Sequence, residues 1–280
     1  MEKRTFRAVF FDLDGTLLPM DVDVFMKSYF RALGGYVARM GIAPDQFMAG
    51  MKRGITAMAT NDSGHANAES FWPEFLACID MPEGVTAETL QAAIGDFYEN
   101  EFGELGADVQ PNPAAARAIE ALVAKGYPLV LATMPMFPRR AVEWRLRWAG
   151  IDPAVFSRIT TFENSTAVKP KPDYYAENLA AAGVEGRDVL MVGNNTKEDL
   201  AACQLGCEGF LVTDFLIDPV GFEVFSVRHG SMEKFADWVD SLPECADPAQ
   251  GVSDAIVPAA VRERVLAACG IADGQAGGAK

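Results

Sequence analysis

The sequence predicts an α/β protein: a doubly wound, parallel, five-stranded sheet, interrupted after its first strand by a helical insert. Three observations carry that prediction. From about residue 111 to 213, short apolar runs alternate with helix-period segments, the pattern of right-handed βαβ units. One further apolar run, residues 7–12 (RAVFFD), stands apart near the N-terminus. Between these two regions, residues 20–106 show helical spacing and nothing that reads as a strand. The expected division is a sheet domain of residues 1–19 and 107–245, a helical insert of 20–106, and a C-terminal helix with a frayed tail over 246–280.

The elements follow in order. Residues 7–12 form a continuous apolar run that stops at a polar DLDGT turn, as a strand covered on both faces does. Val22, Phe25, Tyr29, Leu33, Val37 and Met40 mark a helix that Asp21 caps and Gly41 ends, with Gly34-Gly35 expected to weaken or bend it. Segments near 44–60, 66–79 and 86–100 also read as helices, separated by loops at 60–65 and 81–84. Asn112-Pro113 is an N-cap followed by proline at the first helical position, and Gly126 ends that helix. Strands are then expected at 127–133, 158–161, 188–192 and 209–213, and helices at 138–149, 172–182 and 196–205. Two more helices are marked by Phe235, Trp238, Val239 and Leu242, and by Val257, Val261, Val265 and Cys269. Residues 274–280 (GQAGGAK) are expected to fray.

Half of the 280 residues are apolar, which excludes a largely disordered chain. The net charge of −15 repels a polyanion, so no nucleic-acid partner is expected, although a small anion can still find a locally positive site. No stretch approaches the roughly 20 apolar residues that span a bilayer, and the only early apolar run, 8–11, is too short for a signal core. A cytoplasmic protein without a membrane partner is therefore expected. Its oligomeric state is left open. The five scattered cysteines read as reduced thiols, and with only His65 and His229 a zinc site is not expected.

In a doubly wound sheet, ligands bind outside the carboxyl ends of the strands, so the chemistry should follow each strand. After the first come Asp12 and Asp14, with Gly15 to turn the backbone and Thr16 next. One carboxylate can attack phosphorus, and a second in a different environment can protonate a leaving group and then deprotonate water. The alternative is an Asp-rich turn. After the second strand stand Thr133, whose hydroxyl could bind a phosphate oxygen, and Met134. After the third stands Lys169 in KPKP, a cation held in an extended loop or simply a solvated basic turn. After the fourth come Asn194, Asn195, Glu198 and Asp199, oxygen donors suited to Mg²⁺ or an Asn-rich turn before a helix. His65 and the Arg139-Arg140 pair are weighed as substrate contacts against a solvated loop and a helix-face charge pair. Phe71-Trp72 and Trp144/Trp148 read as packing. Asp214 lies after the fifth strand without a defined role.

These residues, in this order, resemble the haloacid dehalogenase-like (HAD) superfamily. FFDLDGTLL (10–18), LAT (131–133), VKPKPDYY (168–175) and LMVGNNTKEDL (190–200) are similar to its four motifs, and the likeness covers roughly residues 6–242. LLPMD, LRWAG and HGSMEKF are more narrowly similar to a subgroup of HAD-type hydrolases. The resemblance implies a Rossmann-like core with a helical cap, Asp12 as nucleophile, Asp14 as acid/base, and Thr133 and Lys169 as catalytic partners. It also implies substrate contacts from Gly15, Thr16 and Met134, and Mg²⁺ held by Asp12, Asp14, Asn194, Asn195 and Asp199. Dehalogenases of the superfamily lack the second motif aspartate, so Asp14 implies phosphoryl transfer, most simply hydrolysis of a small phosphorylated metabolite. One departure stands out: the fourth motif usually carries an acid where this chain has Asn194 and Asn195. Weakened Mg²⁺ affinity is expected, which Asn195→Asp should reverse. The same departure supports a second reading, a HAD-like binding or scaffold protein without turnover. A third is a phosphomutase or phosphotransferase.

Overall fold

The computed structural model describes residues 5–271. Its sheet has six parallel strands: β1 (Ala8–Phe11), β2 (Leu129–Leu131), β3 (Phe156–Ile159), β4 (Val189–Gly193), β5 (Glu208–Val212) and β6 (Arg228–Gly230). Their order is β3-β2-β1-β4-β5-β6. β1 is central, with Phe11 opposite Leu131 on one side and Val192 on the other. The chain moves outward from β1 through β2 to β3, then returns to lay β4 on the opposite flank of β1. The switch point, where loops diverge and leave a crevice, therefore lies at the carboxyl ends of β1, β2 and β4.

Successive β1 side chains enter different cores, as the period of a strand requires. Val9 and Phe11 face one, and Ala8 and Phe10 face the other; all four are fully buried. The first core lies under helices α5 (Pro113–Ala124) and α8 (Met232–Asp240), and runs on without a break into the insert. The second lies under α7 (Pro172–Ala182), against which α9 (Ala259–Ala268) packs. The insert consists of α1 (Val22–Ala38), α2 (Pro44–Ala59), α3 (Asn67–Leu76) and α4 (Ala87–Asn100). Helix α6 (Arg139–Trp148) follows β2 and packs against α4 and the 3₁₀ turn Phe102–Gly106.

The local signals explain most boundaries. Asp21 Oδ1 accepts the N–H groups of Asp23 and Val24 at 2.9 and 3.1 Å, and Asn112 caps α5 through Ala114 N–H at 3.0 Å. Helix α1 runs through Gly34-Gly35 without a break. Two expectations need correction. The segment expected as a helix over 196–205 is a 3₁₀ turn, Asp199–Leu205, ended by Gly206 in the left-handed region. The sheet has six strands, not five. β6 is a three-residue edge strand, Arg-His-Gly, and only its glycine is buried. It carries no apolar alternation, so its pairing with β5 could not be read from hydrophobic periodicity. The expected frayed tail at 274–280 lies outside the described residues. No described helix is long and apolar enough to cross a membrane.

The insert is fastened across the crevice by its loop 60–67. Buried Asn67 donates through Nδ2 to the carbonyls of Pro135 and Ala167, each at 3.2 Å, and its own N–H reaches Ser165 O at 2.9 Å. Asn61 Nδ2 reaches Thr166 O at 3.0 Å, and Lys171 Nζ returns a bond to Asn61 O at 2.9 Å. The helical insert thus sits over the loops that follow β2 and β3.

Candidate active site

The end of β1 delivers Asp12 and Asp14 into the crevice, where Gly15 adopts φ +81°, a conformation that a side chain disfavours. The turn closes on itself: Gly15 N–H donates to Leu18 O at 2.8 Å and Thr16 N–H to Leu13 O at 3.2 Å. The amides of Gly15 and Thr16 are thus committed to the loop. What Thr16 offers is its hydroxyl, 3.3 Å from Asp12 Oδ2 and 3.2 Å from Asn194 Oδ1. A Cβ on Gly15 would collide with the Asn194 amide, so this glycine makes room for its neighbour as well as turning the chain.

Lys169, 3% exposed, brings the third loop to the first and fourth. Its ammonium lies 2.8 Å from Asp12 Oδ1 and 2.6 Å from Asp199 Oδ1. Burial opposes the charge on Lys169, but Asp12 and Asp199 outweigh it and hold the ammonium well above its ordinary pKa. Burial drives the Asp199 carboxyl upward against the pull of the same lysine. Asp199 Oδ2 accepts the backbone N–H groups of Asn194 and Asn195, both at 2.9 Å. Gly193 makes that possible, because a Cβ there would overlap the Asp199 carboxylate.

The second aspartate has a different environment. Asp14 Oδ2 pairs with Arg145 Nη1 from α6, while Asp14 Oδ1 and Arg145 Nη2 have no hydrogen-bond partner. Burial raises the Asp14 carboxyl above its usual range, with Arg145 pulling it down. Arg145 is 1% exposed, and its guanidinium lies 4.5 Å from the centre of the Phe137 ring. Three carboxylates, Asp12, Asp14 and Asp199, therefore face two cations across one crevice.

The predicted residues are thus found in one place, with differences in what their atoms do. Asp12, Asp14, Thr133, Met134, Asn194, Asn195 and Asp199 line a common cavity of about 600 Å³. Lys169 stands behind that lining, bonded to Asp12 and Asp199. Thr133 is buried, and its carbonyl accepts the hydroxyls of Thr160 and Tyr174, each at 2.8 Å. Two of the expected metal ligands have side-chain oxygens already in use. Asn195 Oδ1 accepts the N–H groups of Lys197 and Glu198, both at 3.0 Å, and Asp199 accepts Lys169 on Oδ1 and two backbone amides on Oδ2. Among the described residues, no three His, Cys, Asp or Glu side chains converge as a metal cage. The oxygens left facing one another are Asp12 Oδ2 and Asn194 Oδ1, joined only through the Thr16 hydroxyl. One carboxylate and one neutral oxygen, completed by water and phosphate, suit a hard ion such as Mg²⁺.

The asparagine at 194 has a structural reason. Its Nδ2 donates to Phe215 O at 2.6 Å, while Ile217 N–H donates to Asn194 O at 2.9 Å. These bonds tie the segment after β5 over the fourth loop, so Phe215, Leu216 and Ile217 line the cavity. A carboxylate at 194 would face the Phe215 carbonyl without a proton to offer. This strap was not read from the sequence. Nor was Arg145, although a signal existed: it falls on the buried stripe of α6 with Ala141, Val142, Leu146 and Trp148. Arg139 and Arg140 lie away from the cavity in ion pairs with Glu143 and Asp254, and with Glu99. His65 is exposed, 3.8 Å from Glu69. Asp214 caps α8 by accepting Met232 N–H at 2.7 Å. Among the described residues the cysteines form no disulfide.

A sheet of order 3-2-1-4-5-6, a helical insert after β1 and an Asp-x-Asp turn at the switch point define a class, and comparison with known proteins identifies it. Residues 6–205 match the haloacid dehalogenase-like hydrolase family, and the chain belongs to that family. No curated protein matches it. Among solved structures it is similar to CbbY from Rhodobacter sphaeroides in complex with phosphate, with 19% identity and TM-score 0.52, covering 82% of this chain and 96% of that one. It is also similar to a HAD phosphatase from Thermococcus onnurineus, with 18% identity and TM-score 0.50, covering 84% and 98%. A third likeness is to a predicted phosphoglycolate phosphatase from Haemophilus somnus, with 17% identity and TM-score 0.50, covering 85% and 99%. At these identities the likeness shows a shared fold.

Proposed function

We propose that the chain hydrolyses a small phosphomonoester through an aspartyl-phosphate on Asp12. The observation that carries this reading is the pairing of two carboxylates in unlike surroundings at one cavity: Asp12, ion-paired with Lys169 at 2.8 Å, and Asp14, raised by burial and with one oxygen unpartnered. Asp12 attacks phosphorus while protonated Asp14 gives its proton to the departing oxygen, breaking the P–O bond. Asp14, now ionised, takes a proton from water, which attacks the aspartyl-phosphate and releases inorganic phosphate. Lys169 offsets charge on Asp12 and on a phosphate oxygen, and Thr133 stands at the cavity wall as a hydroxyl donor. Asp12 Oδ2, the Asp14 backbone carbonyl and Asn194 Oδ1 are the groups that would hold Mg²⁺. When bound, that ion neutralises phosphate charge so that an anionic nucleophile can approach.

The names of the neighbours support this reading by analogy, since two of them are called phosphatases and a third is bound to phosphate. The test is release of phosphate from p-nitrophenyl phosphate with and without Mg²⁺, with Asp12→Asn as the control. Mg²⁺-dependent turnover abolished by Asp12→Asn is expected. Phosphate binding without turnover would instead favour the scaffold reading. Transfer of phosphate to a second alcohol, seen in the products, would favour a phosphotransferase or mutase.

A further inference from the structure

Beside the polar cavity lies a second one, of about 190 Å³, between the insert and the core. Its walls are apolar side chains of both bodies, among them Met26, Leu33, Ile55, Phe71, Trp72 and Phe162. Asp14, Val22 and Met134 line both cavities, so the two meet at the residue read as the proton donor. Arg145 belongs to the apolar cavity alone. Two tyrosines complete the wall, and their hydroxyls, Tyr29 and Tyr98, lie 2.6 Å apart as each other's hydrogen-bond partner. Burial pushes Tyr29 up to about 12 and Tyr98 well above its usual value, so both stay neutral.

We propose that the alcohol released by this enzyme is a compact apolar one, an aryl or alkyl group of about one ring in size, whose only polar atom is the departing oxygen. The inference rests on the phosphatase reading and adds its substrate class. Size sets the upper bound: a dry cavity of about 150 Å³ lined by aliphatic and aromatic side chains holds benzene. Chemistry sets the rest. A sugar or glycerol body would bring several hydroxyls into a wall that offers only Asp14 Oδ1, Arg145 Nη2 and the one hydroxyl hydrogen left over by the Tyr29–Tyr98 bond, and each buried hydroxyl left unpaired costs about 1–3 kcal/mol. An apolar body gains from the same wall, at about 25 cal/mol per Å² removed from water. Met134 lines both cavities and offers a flexible apolar side chain suited to such a guest. Asp14 at that junction places the departing oxygen at the mouth of the apolar cavity, with its new proton supplied there.

The experiment has two arms on the full chain with Mg²⁺. In the first, phosphate release is compared for benzyl phosphate, phenyl phosphate, glucose 6-phosphate and glycerol 3-phosphate. We expect kcat/KM for the benzyl or phenyl ester to exceed both polyol esters by at least about 100-fold, two stranded hydroxyls' worth. Equal or better turnover of the polyol esters overturns the inference and leaves the phosphatase reading intact. Failure to release phosphate from any ester overturns that reading and the inference with it; where the esters are turned over, the second arm tests whether the apolar cavity is the seat of the preference. It follows benzyl alcohol, with glycerol as control, through the fluorescence of Trp72 and by NMR titration, in wild type and in Ile55→Trp and Met26→Trp. Both substituted positions are only partly buried, so each indole can fill the cavity with the fold intact, checked by circular dichroism. Saturable binding of benzyl alcohol, lost in either folded variant, supports the inference. Absence of binding in wild type, or binding unchanged in both variants, overturns it.

Discussion

Replacing Lys169 with methionine tests the electrostatic heart of the site. The lysine holds two carboxylates at 2.8 and 2.6 Å, each pair attracting by roughly 6 kcal/mol at an effective dielectric of about 20. Most of that attraction offsets the loss of hydration, so the net effect of stranding the partners is smaller, about 3–5 kcal/mol. Methionine fills a similar volume, which isolates the charge. Asp12 and Asp199 would then face each other uncompensated, and the folded state would take up a proton that the unfolded state does not hold. Because a carboxyl raised in the folded state loses stability as pH increases, the deficit must be greatest near pH 8 and shrink toward pH 5. Urea unfolding, followed by tryptophan fluorescence, reads it directly. Adding Asp199→Asn to Lys169→Met should recover about half of the loss at pH 8, since the amide still accepts the N–H groups of Asn194 and Asn195. Phosphate release in Lys169→Met should fall by about 10²–10³-fold. A variant as stable as wild type at pH 8, or a loss unchanged by Asp199→Asn, refutes the reasoning.

Other consequences are equally direct. Gly193→Ala should destabilise by about 1–3 kcal/mol in the same urea assay, because its Cβ displaces the Asp199 carboxylate and with it Lys169. Asn195→Asp keeps an oxygen for the Lys197 and Glu198 amides and adds charge without adding a ligand, so the Mg²⁺ midpoint of phosphatase activity should tighten by less than about tenfold, roughly 1 kcal/mol. Asn194→Asp should lower the thermal midpoint, since it sets a carboxylate against Phe215 O. Glu177 on α7 is fully buried, accepts both the N–H and the hydroxyl of Thr166 on one oxygen, and is pushed by burial from 4.5 to about 7. Stability should therefore fall by up to about 3 kcal/mol as pH rises from about 4.5 to 7, and Glu177→Gln should flatten that slope in pH-resolved urea titrations.

By itself the sequence determined the class of fold, the place of the helical insert and the edge of the sheet where chemistry belongs. The reason is local. Apolar runs, caps and glycine stops act over a few residues, and once strands alternate with helices, chirality leaves little choice but to bring the ends of β1, β2 and β4 together. That is why Asp12, Asp14, Thr133, Lys169 and Asp199 could be assembled in advance from four stretches of the chain. What each atom does was decided only by tertiary structure. Arg145 meets Asp14 across 131 positions of sequence, and Asn194 meets Phe215 only because an edge segment folds back over its loop. Asp199, an oxygen donor by composition, is engaged by a lysine 30 positions away and by the amides beside it. A carboxylate's role is set by which partners take its lone pairs and how much water is left to it, and those are properties of the packed crevice, not of any segment that contributes to it.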